Sequence, residues 1–194
     1  NWKCSFCHNN RLFDLPDIDF NSDIFPKLLE RKSLINTVVI SGGEPSVYGN
    51  KVEDTVEKLI ENGFVVGIHT NGSNSGFISR LSSKISFWGM DIKTSPQKYD
   101  KCGFGSFSTI ESSVDLIVNS GSEYEFRTTM HPDTVRVDDA VEISKMLSKH
   151  NASKYVIQQF RPENDEYVYV KNVLEDAVDM CSVHIWTELR GIYL

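Results

Sequence analysis

The pattern of apolar and polar positions predicts strands that alternate with helices along the whole chain. Stretches of strand type occur at residues 37–41, 64–69, 85–92, 124–129, 154–160 and 183–189. Apolar residues recur at helical spacing between them, at residues 23–31, 50–62, 75–82, 106–119, 138–150 and 170–178. Most of the strands are apolar throughout, and this is typical of a parallel sheet that is covered by helices. Six strands are too few for a closed eight-stranded barrel, so the pattern favours an open sheet or a partial barrel.

Composition narrows the class of protein. The chain has 194 residues, 40% of them hydrophobic, which is enough for one buried core in one domain. Its net charge of -7 argues against a nucleic-acid partner, because such proteins usually carry a basic face. No apolar run reaches membrane-spanning length, so we expect no membrane partner. The four scattered cysteines do not make a disulfide framework, and they favour a reducing, cytoplasmic location.

The first predicted strand runs into Gly42, Gly43, Glu44 and Pro45. In parallel α/β folds, binding and catalytic residues lie at the carboxyl ends of the strands. The two glycines allow a ligand to approach the backbone closely. The Glu44 carboxylate beside them suits a ligand with an ammonium group and would repel a phosphate. The alternative interpretation is a tight turn with a solvated glutamate.

Polar residues also follow the next two strands. Thr70 and Asn71 offer donors and acceptors for sugar hydroxyls or a carboxylate, although an ordinary Asn-Gly turn explains them equally. Asp91 and Lys93 are two residues apart, so both side chains lie on one side of their strand. They form either part of a binding site or a structural ion pair.

The later strands add weaker candidates. Arg127 could hold a carboxylate. Gln158 and Gln159 point to opposite sides of their strand, so only one of them can face a site. Taken together, the strand ends predict one small zwitterionic ligand that includes a sugar.

The N-terminal stretch carries a different chemistry. Cys4 and Cys7 are separated by two residues, which fits half of a zinc knuckle, a redox dithiol or part of an iron–sulfur site. A histidine follows Cys7 directly, as in a haem-attachment motif. Cys102 and Cys181 are each isolated, so neither supplies the second pair that a zinc knuckle needs.

Two motifs carry a resemblance to a known family. The stretch from Asn1 to Asn9 resembles the Cys-x-x-x-Cys-x-aromatic-Cys motif of the radical S-adenosylmethionine (radical SAM) superfamily, without its first cysteine. Residues 41–45 resemble the GGEP motif of the same superfamily. Among its members, the chain is most similar to the activating enzymes of glycyl-radical enzymes, and in particular to those of anaerobic ribonucleoside-triphosphate reductase. That similarity depends on residues 70–73, 90–93, 124–129, 159–162 and 189–191.

The resemblance implies a fold and a domain. We expect a partial (β/α)6 TIM-like barrel of parallel strands, formed by a single radical SAM domain over residues 1–194. We expect this domain to be incomplete at its N-terminus, because the first motif cysteine would directly precede Asn1 and the strand before the motif is missing. Cys102 is the only conceivable substitute for that cysteine within the sequence.

The resemblance also implies two cofactors, a [4Fe–4S] cluster and S-adenosylmethionine. Cys4 and Cys7 would ligate the cluster, and Phe6 would lie near the adenine of S-adenosylmethionine. The other expected contacts are Gly42, Gly43 and Glu44 with the methionine amine, Thr70 and Asn71 with the ribose or carboxylate, Asp91 and Lys93 with the methionine end, and, more weakly, Arg127. We expect Cys4, Cys7 and Lys93 to be the residues most directly involved in catalysis.

The expected function is that of an activase. The reduced cluster would cleave S-adenosylmethionine to methionine and a 5′-deoxyadenosyl radical, which would abstract hydrogen from a glycine of anaerobic ribonucleoside-triphosphate reductase. A flavodoxin- or ferredoxin-type protein would supply the electron. Two alternatives remain: a radical SAM enzyme that acts on another glycyl-radical enzyme or a small molecule, and a degenerate, non-catalytic family member. A cysteine before Asn1 would favour either catalytic interpretation over the last one.

Overall fold

The sheet consists of six parallel strands in a computed structural model that describes residues 19–100, 105–132, 134–161 and 169–191. In chain order the strands are β1 (Thr37–Ile40), β2 (Val65–Thr70), β3 (Phe87–Asp91), β4 (Glu123–Met130), β5 (Tyr155–Gln159) and β6 (Thr187–Arg190). The α-helices are α1 (Phe25–Glu30), α2 (Asn50–Glu61), α3 (Ser75–Leu81), α4 (Phe107–Val118), α5 (Val137–Lys149) and α6 (Lys171–Ser182). A π-helical segment (Phe20–Ile24) precedes α1, and 3-10 turns (Pro45–Tyr48 and Pro96–Lys98) follow β1 and β3.

The order of the strands in the sheet is the same as their order in the chain. Each strand pairs in parallel with the next, from β1 to β6. Every crossover therefore moves in one direction, and because such crossovers are right-handed, the helices all lie on one face of the sheet. A sheet wound in this way curls into part of a barrel. The predicted partial (β/α)6 barrel is therefore confirmed over the alternative of an open sheet.

The helix-covered face, here called the outer face, holds the hydrophobic core. Alternate strand residues point to this face, and those that are fully buried include Ile68, Trp88, Met90, Phe126 and Ile157. They pack against the apolar sides of the helices in one continuous cluster. Burial of this kind is the main stabilising contribution to such a fold.

The opposite face, here called the inner face, carries polar side chains on each strand from β2 to β6. Glu125 and Arg127 of β4 point to it, and both are buried. β4 is therefore not apolar throughout, because the helices cover only its outer side. The inner face is available for binding and chemistry.

The helices that cover the sheet are short. α2, α4 and α6 have 12 residues each, and α5 has 13. Within the described residues, no helix combines the length and hydropathy that a membrane crossing requires. Their buried apolar side chains, such as Val56 and Leu59 of α2, face the sheet.

The last strand begins later than its sequence pattern predicts. A strand was expected over residues 183–189, whereas β6 comprises Thr187–Arg190. The backbone N–H groups of His184 and Ile185 instead donate to the carbonyl of Cys181, which extends the helical turning beyond α6. Val183 lies on this turn and is 80% exposed, so its apolar character reflects no burial.

The core can be tested with two neighbouring residues of α2. Leu59 is fully buried, whereas Ile60 is 39% exposed. We expect Leu59→Ala to lower the free energy of unfolding by about 2–5 kcal/mol, because it removes buried methyl groups and leaves a cavity. Ile60→Ala should change it by no more than about 0.5 kcal/mol. Urea unfolding measures both values, and equal effects would contradict the assigned orientation of α2.

Candidate functional site

The loop after β1 needs its two glycines. Gly42 has a φ of 85° and Gly43 a φ of 40°, both in the left-handed region that side chains disfavour. The turn they form leads directly into Glu44. There the Glu44 carboxylate caps the 3-10 turn by accepting a hydrogen bond from the backbone N–H of Ser46, at 3.1 Å.

Glu44 also joins the ends of β1 and β2. Its Oε1 accepts a hydrogen bond from the Thr70 hydroxyl at 2.8 Å, and its Oε2 accepts one from the backbone N–H of Asn71 at 2.7 Å. The residue is only 4% exposed, so the alternative of a solvated glutamate is wrong. A carboxylate can accept about four hydrogen bonds. The described residues supply three of them, which leaves room for one further donor.

The loop after β2 is both a turn and part of this cluster. The side-chain oxygen of Asn71 accepts from the backbone N–H of Ser73 at 3.0 Å, and the Thr70 hydroxyl accepts from that of Gly72 at 3.1 Å. Thr70 and Asn71 are both buried. The Asn-Gly turn and the polar cluster, which the sequence offered as alternatives, therefore coexist.

Asp91, Lys93 and Arg127 form a second cluster at the ends of β3 and β4. Lys93 Nζ lies 2.9 Å from Asp91 Oδ2, as expected for two side chains on one side of the chain. Arg127 is paired with Asp91 in the sheet register, and its Nε donates to Asp91 Oδ1 at 2.9 Å. Arg127 is therefore engaged with a carboxylate of the protein itself.

The charge of Asp91 is stabilised by these two cations. Burial by itself raises the pKa of the carboxyl group. The positive charges of Lys93 and Arg127 and their hydrogen bonds outweigh that effect, so the pKa of Asp91 lies below its ordinary value. Asp91 is thus ionised at neutral pH and holds both cations on the inner face.

His69 of β2 extends the second cluster. Its Nε2 lies 3.1 Å from Nη1 of Arg127. Because a guanidinium group only donates, His69 must accept at Nε2 and carry its proton on Nδ1. Burial lowers the pKa of His69, and the charge of Arg127 lowers it further, so the ring is neutral. Sequence reasoning missed this residue. Strand alternation was the available signal, because it places His69 on the inner face with residue 67.

Gly89 of β3 makes room for the contact between His69 and Arg127. A Cβ atom at Gly89 would lie 2.6 Å from Cδ2 of His69 and 3.0 Å from Nη1 of Arg127. Any side chain here would push one of them away. The close approach across β3 therefore requires glycine.

A third group of charges lies towards β6 on the inner face. Arg190 binds Glu125 in a bidentate pair, with N···O distances of 2.6 and 2.9 Å. Lys154 lies 3.1 Å from Glu188 and 3.9 Å from Glu125. Burial raises the pKa of Glu125, but its hydrogen bond and ion pair with Arg190 lower it more, and the pKa lies below its ordinary value. The sequence did not predict this group.

The two glutamines of β5 separate as expected. Gln159 is buried on the outer face, and its Nε2 donates to the backbone carbonyl of Tyr169 at 2.9 Å. Gln158 lies on the inner face, in register with Thr129 and Arg190. Gln158 is therefore the one of the pair that can face a site.

Cys4, Phe6, Cys7 and Cys102 lie outside the described residues, so their predicted roles stay predictions. Cys181 is buried at the end of α6, on the outer side of the sheet. Burial raises the pKa of its thiol to about 11, which disfavours the thiolate that metal binding needs. Among the described residues, no group of three or more histidine, cysteine or acidic side chains could hold a metal ion.

The first two clusters lie at the same end of neighbouring strands. Thr70 is in register with Met90, which directly precedes Asp91. The Glu44 cluster (Glu44, Thr70 and Asn71) therefore adjoins the Asp91 cluster (Asp91, Lys93, Arg127 and His69). One side offers a buried carboxylate with an acceptor position to spare, and the other carries Lys93 beside its counter-ion. This donor set fits a ligand that has both an ammonium and a carboxylate group, as S-adenosylmethionine has.

Comparison with known proteins agrees with the family that the sequence motifs indicated. The family model described as "Radical SAM superfamily" matches residues 1–169. A protein of Methanocaldococcus jannaschii named "Putative glycyl-radical enzyme activating enzyme MJ1227" is 29% identical over 185 residues, covering 84% of this chain and 70% of the relative.

Two solved structures illustrate the similarity of fold. A domain of a pyruvate-formate lyase-activating enzyme from Bacteroides vulgatus has a TM-score of 0.66 and 10% identity, over 79% of this chain and 98% of that domain. Streptococcus suis SuiB, bound to its precursor peptide SuiA, has a TM-score of 0.72 and 13% identity, over 98% of this chain. The match spans only 46% of SuiB. At these identities both structures support the fold alone.

The ion pairs of Asp91 make a pH-dependent contribution to stability. Because the pKa of Asp91 is lowered on folding, the contribution is complete above the ordinary value of about 3.9 and is lost as the pH falls towards the lower folded value. We therefore expect the difference in unfolding free energy between the wild type and Asp91→Asn to be largest near neutral pH and to shrink below about pH 5. Urea titrations at several pH values measure it. A difference that stays constant down to about pH 3 would contradict the assignment.

Gly89 can be tested with a matched glycine. Gly89→Ala should destabilise the protein, because its Cβ would collide with His69 and Arg127. In the first turn of α3, a Cβ atom at Gly76 would lie no closer than 3.4 Å to its neighbours, so Gly76→Ala should be neutral or stabilising by up to about 1 kcal/mol. Thermal unfolding of the two variants distinguishes these effects, and equal midpoints would refute the steric argument.

Proposed function

This chain belongs to the radical SAM superfamily, and from that premise we propose that it activates a glycyl-radical enzyme by radical chemistry on S-adenosylmethionine. The observation that carries the proposal is the joining of the Glu44 cluster to the Asp91 cluster at one end of a partial barrel. The name of the Methanocaldococcus jannaschii relative supports the same activity.

The proposed cofactors are a [4Fe–4S] cluster and S-adenosylmethionine. Cys4 and Cys7 would ligate the cluster, and Phe6 would lie near the adenine. When bound, the two cofactors supply a one-electron cleavage that yields methionine and a 5′-deoxyadenosyl radical, which takes hydrogen from a glycine. The assignment of Cys4, Phe6 and Cys7 depends on the motif.

Glu44 and the glycines before it would bind the amine of the cofactor. The buried Glu44 carboxylate is held in place by Thr70 and by the backbone of Asn71, so it need not reorganise on binding. Its remaining acceptor position suits one ammonium proton. Gly42 and Gly43 would let the ligand approach their backbone, and Thr70 and Asn71 would shape the part of the site that faces the ribose or carboxylate.

Lys93 would bring positive charge to the carboxylate of the methionine moiety. Asp91 holds Lys93 in place, and Arg127 in turn holds Asp91. The role proposed for Arg127 is therefore to orient Asp91, which differs from the direct carboxylate contact expected from the sequence. The remaining contribution of the chain would be to keep water away from the reacting atoms, because Glu44, Thr70 and Arg127 are buried.

The proposed substrate is a glycine of anaerobic ribonucleoside-triphosphate reductase. Support comes from the resemblance at residues 70–73, 90–93, 124–129, 159–162 and 189–191. A flavodoxin- or ferredoxin-type protein is the proposed electron donor, and the cytoplasm, where thiols stay reduced, is the proposed location.

The first experiment uses the full-length protein, purified without oxygen and reconstituted with iron and sulfide. After reduction and addition of S-adenosylmethionine, we expect equal amounts of 5′-deoxyadenosine and methionine. Addition of anaerobic ribonucleoside-triphosphate reductase should then produce a glycyl radical that electron paramagnetic resonance detects. Products without that radical would indicate another substrate. No products from a protein that holds its iron would refute radical SAM chemistry.

The cysteine assignment has an internal control. Cys4→Ala and Cys7→Ala should each abolish formation of 5′-deoxyadenosine and lower the iron content after reconstitution, because a cluster ligand is lost. Cys181→Ala should retain both, since Cys181 is buried on the outer side of the sheet. Iron analysis and product quantification provide the readouts. Loss of iron binding in Cys181→Ala would contradict the assignment.

A further inference from the structure

Lys93 lies beyond the part of β3 that the sheet holds. Among the described residues, the last backbone hydrogen bond between this strand and β4 is donated by the N–H of Ile92 to the carbonyl of Arg127, at 2.7 Å. The backbone N–H of Lys93 instead donates to the side-chain oxygen of Tyr99, at 2.8 Å. The buried Tyr99 phenol therefore replaces the sheet as the hydrogen-bond acceptor for Lys93, the residue that we propose contacts the cofactor.

Tyr99 is well suited to fix this position. It is completely buried, and its ring packs against that of Phe107 with the centroids 5.6 Å apart. A packed aromatic ring cannot move its hydroxyl without disturbing the core. The location of the Lys93 backbone is thus determined by the packing of Tyr99.

Asp139, in the first turn of α5, fixes the middle of the segment that follows β3, residues 93–99. Its Oδ1 accepts from the Ser95 hydroxyl and its Oδ2 from Lys98 Nζ, both at 2.6 Å. Its Oδ2 also accepts from the backbone N–H of Arg136 at 2.9 Å, which anchors the carboxylate to α5. Burial raises the pKa of Asp139, but the hydrogen bonds from Lys98 and Ser95 lower it more, so the carboxylate is charged at neutral pH.

We propose that Tyr99 and Asp139 are positioning residues that hold Lys93 against Asp91 and thereby preorganise the binding of S-adenosylmethionine. This inference rests on the proposed function and extends it to two residues whose described hydrogen bonds lie behind the site. Neither residue needs to touch the cofactor. Their effect passes through the backbone of residues 93–99, and it should therefore alter affinity much more than the rate at saturation.

Tyr99→Phe is the most informative variant, because it removes one oxygen and keeps the ring. Tyr124→Phe is its matched control: the Tyr124 hydroxyl also accepts a backbone N–H, that of Ser153 at 3.1 Å, but near the beginning of β4. Thr94→Val controls for any change within the segment. The Thr94 side chain is buried, and its hydroxyl has no hydrogen-bond partner among the described residues.

The experiment uses the reconstituted full-length protein and three measurements. Equilibrium dialysis with the oxidised cluster gives the Kd for S-adenosylmethionine, product formation under reduction gives KM and kcat, and thermal unfolding without S-adenosylmethionine gives Tm. We expect Tyr99→Phe to raise Kd and KM about five- to tenfold, the factor expected for loss of one hydrogen bond, with kcat changed less than about twofold. Tyr124→Phe and Thr94→Val should keep Kd, KM and kcat within about twofold of the wild type.

Asp139 provides a second and independent test. Ser95→Ala removes one hydrogen bond to Asp139 and leaves Tyr99 intact, so it is informative even if Tyr99→Phe does not fold. We expect Ser95→Ala to raise the KM for S-adenosylmethionine about threefold, and Asp139→Asn to raise it more. Asp138→Asn changes an exposed carboxylate of the same helical turn and should leave the KM unchanged.

The outcomes separate the inference from the function on which it rests. A wild-type protein that holds its cluster but binds no S-adenosylmethionine would overturn both. Binding by the wild type with an unchanged Kd in folded Tyr99→Phe and in Ser95→Ala would overturn the positioning role alone. A fall in Tm without a rise in KM would likewise assign Tyr99 a purely structural role.

Discussion

The helices of the described residues cover only one face of the sheet, and this one-sided burial determines what every strand carries. Sequential parallel pairing places all crossovers on the outer face, where Ile68, Trp88 and Phe126 form the core. None of the helices in the described ranges lies on the inner face, so this face can hold the charged side chains that a fully covered sheet would exclude. Each strand of this kind thus contributes both to the core and to the candidate site.

The charges on the inner face are arranged so that few stand alone. Asp91 is bound by Lys93 and Arg127, and Glu125 is bound by Arg190. Pairs of this kind are weak evidence for stability, because removing two charges from water costs about as much as their attraction returns. Their more important consequence is geometric. Each partner restricts the other, and Asp91 and Lys93 are held in one arrangement beside the Glu44 cluster.

Beyond the strand ends, buried side chains take the place of the sheet as hydrogen-bond acceptors. The backbone N–H of Asn71 donates to the carboxylate of Glu44, and that of Lys93 donates to the hydroxyl oxygen of Tyr99. A buried backbone N–H needs an acceptor, so each of these side chains fixes the course of its loop. In this protein the loops that form the candidate site are therefore positioned by the core and by neighbouring strands. This explains how residues at strand ends can be preorganised without regular secondary structure.

The sequence alone determined the elements, their parallel arrangement and the residues at the strand ends, because these depend on local periodicity and short motifs. It also placed Asp91 and Lys93 on one side of the chain, since residues two apart in a strand always share a face. It could not show that Arg127 pairs with Asp91, that His69 joins them across Gly89, or that Arg190 binds Glu125 from 65 residues away. Nor could it distinguish the exposed turn at Val183 from a strand, because apolar character there carries no information about burial. These features depend on which strands are neighbours and in which register, and only the tertiary structure decides that.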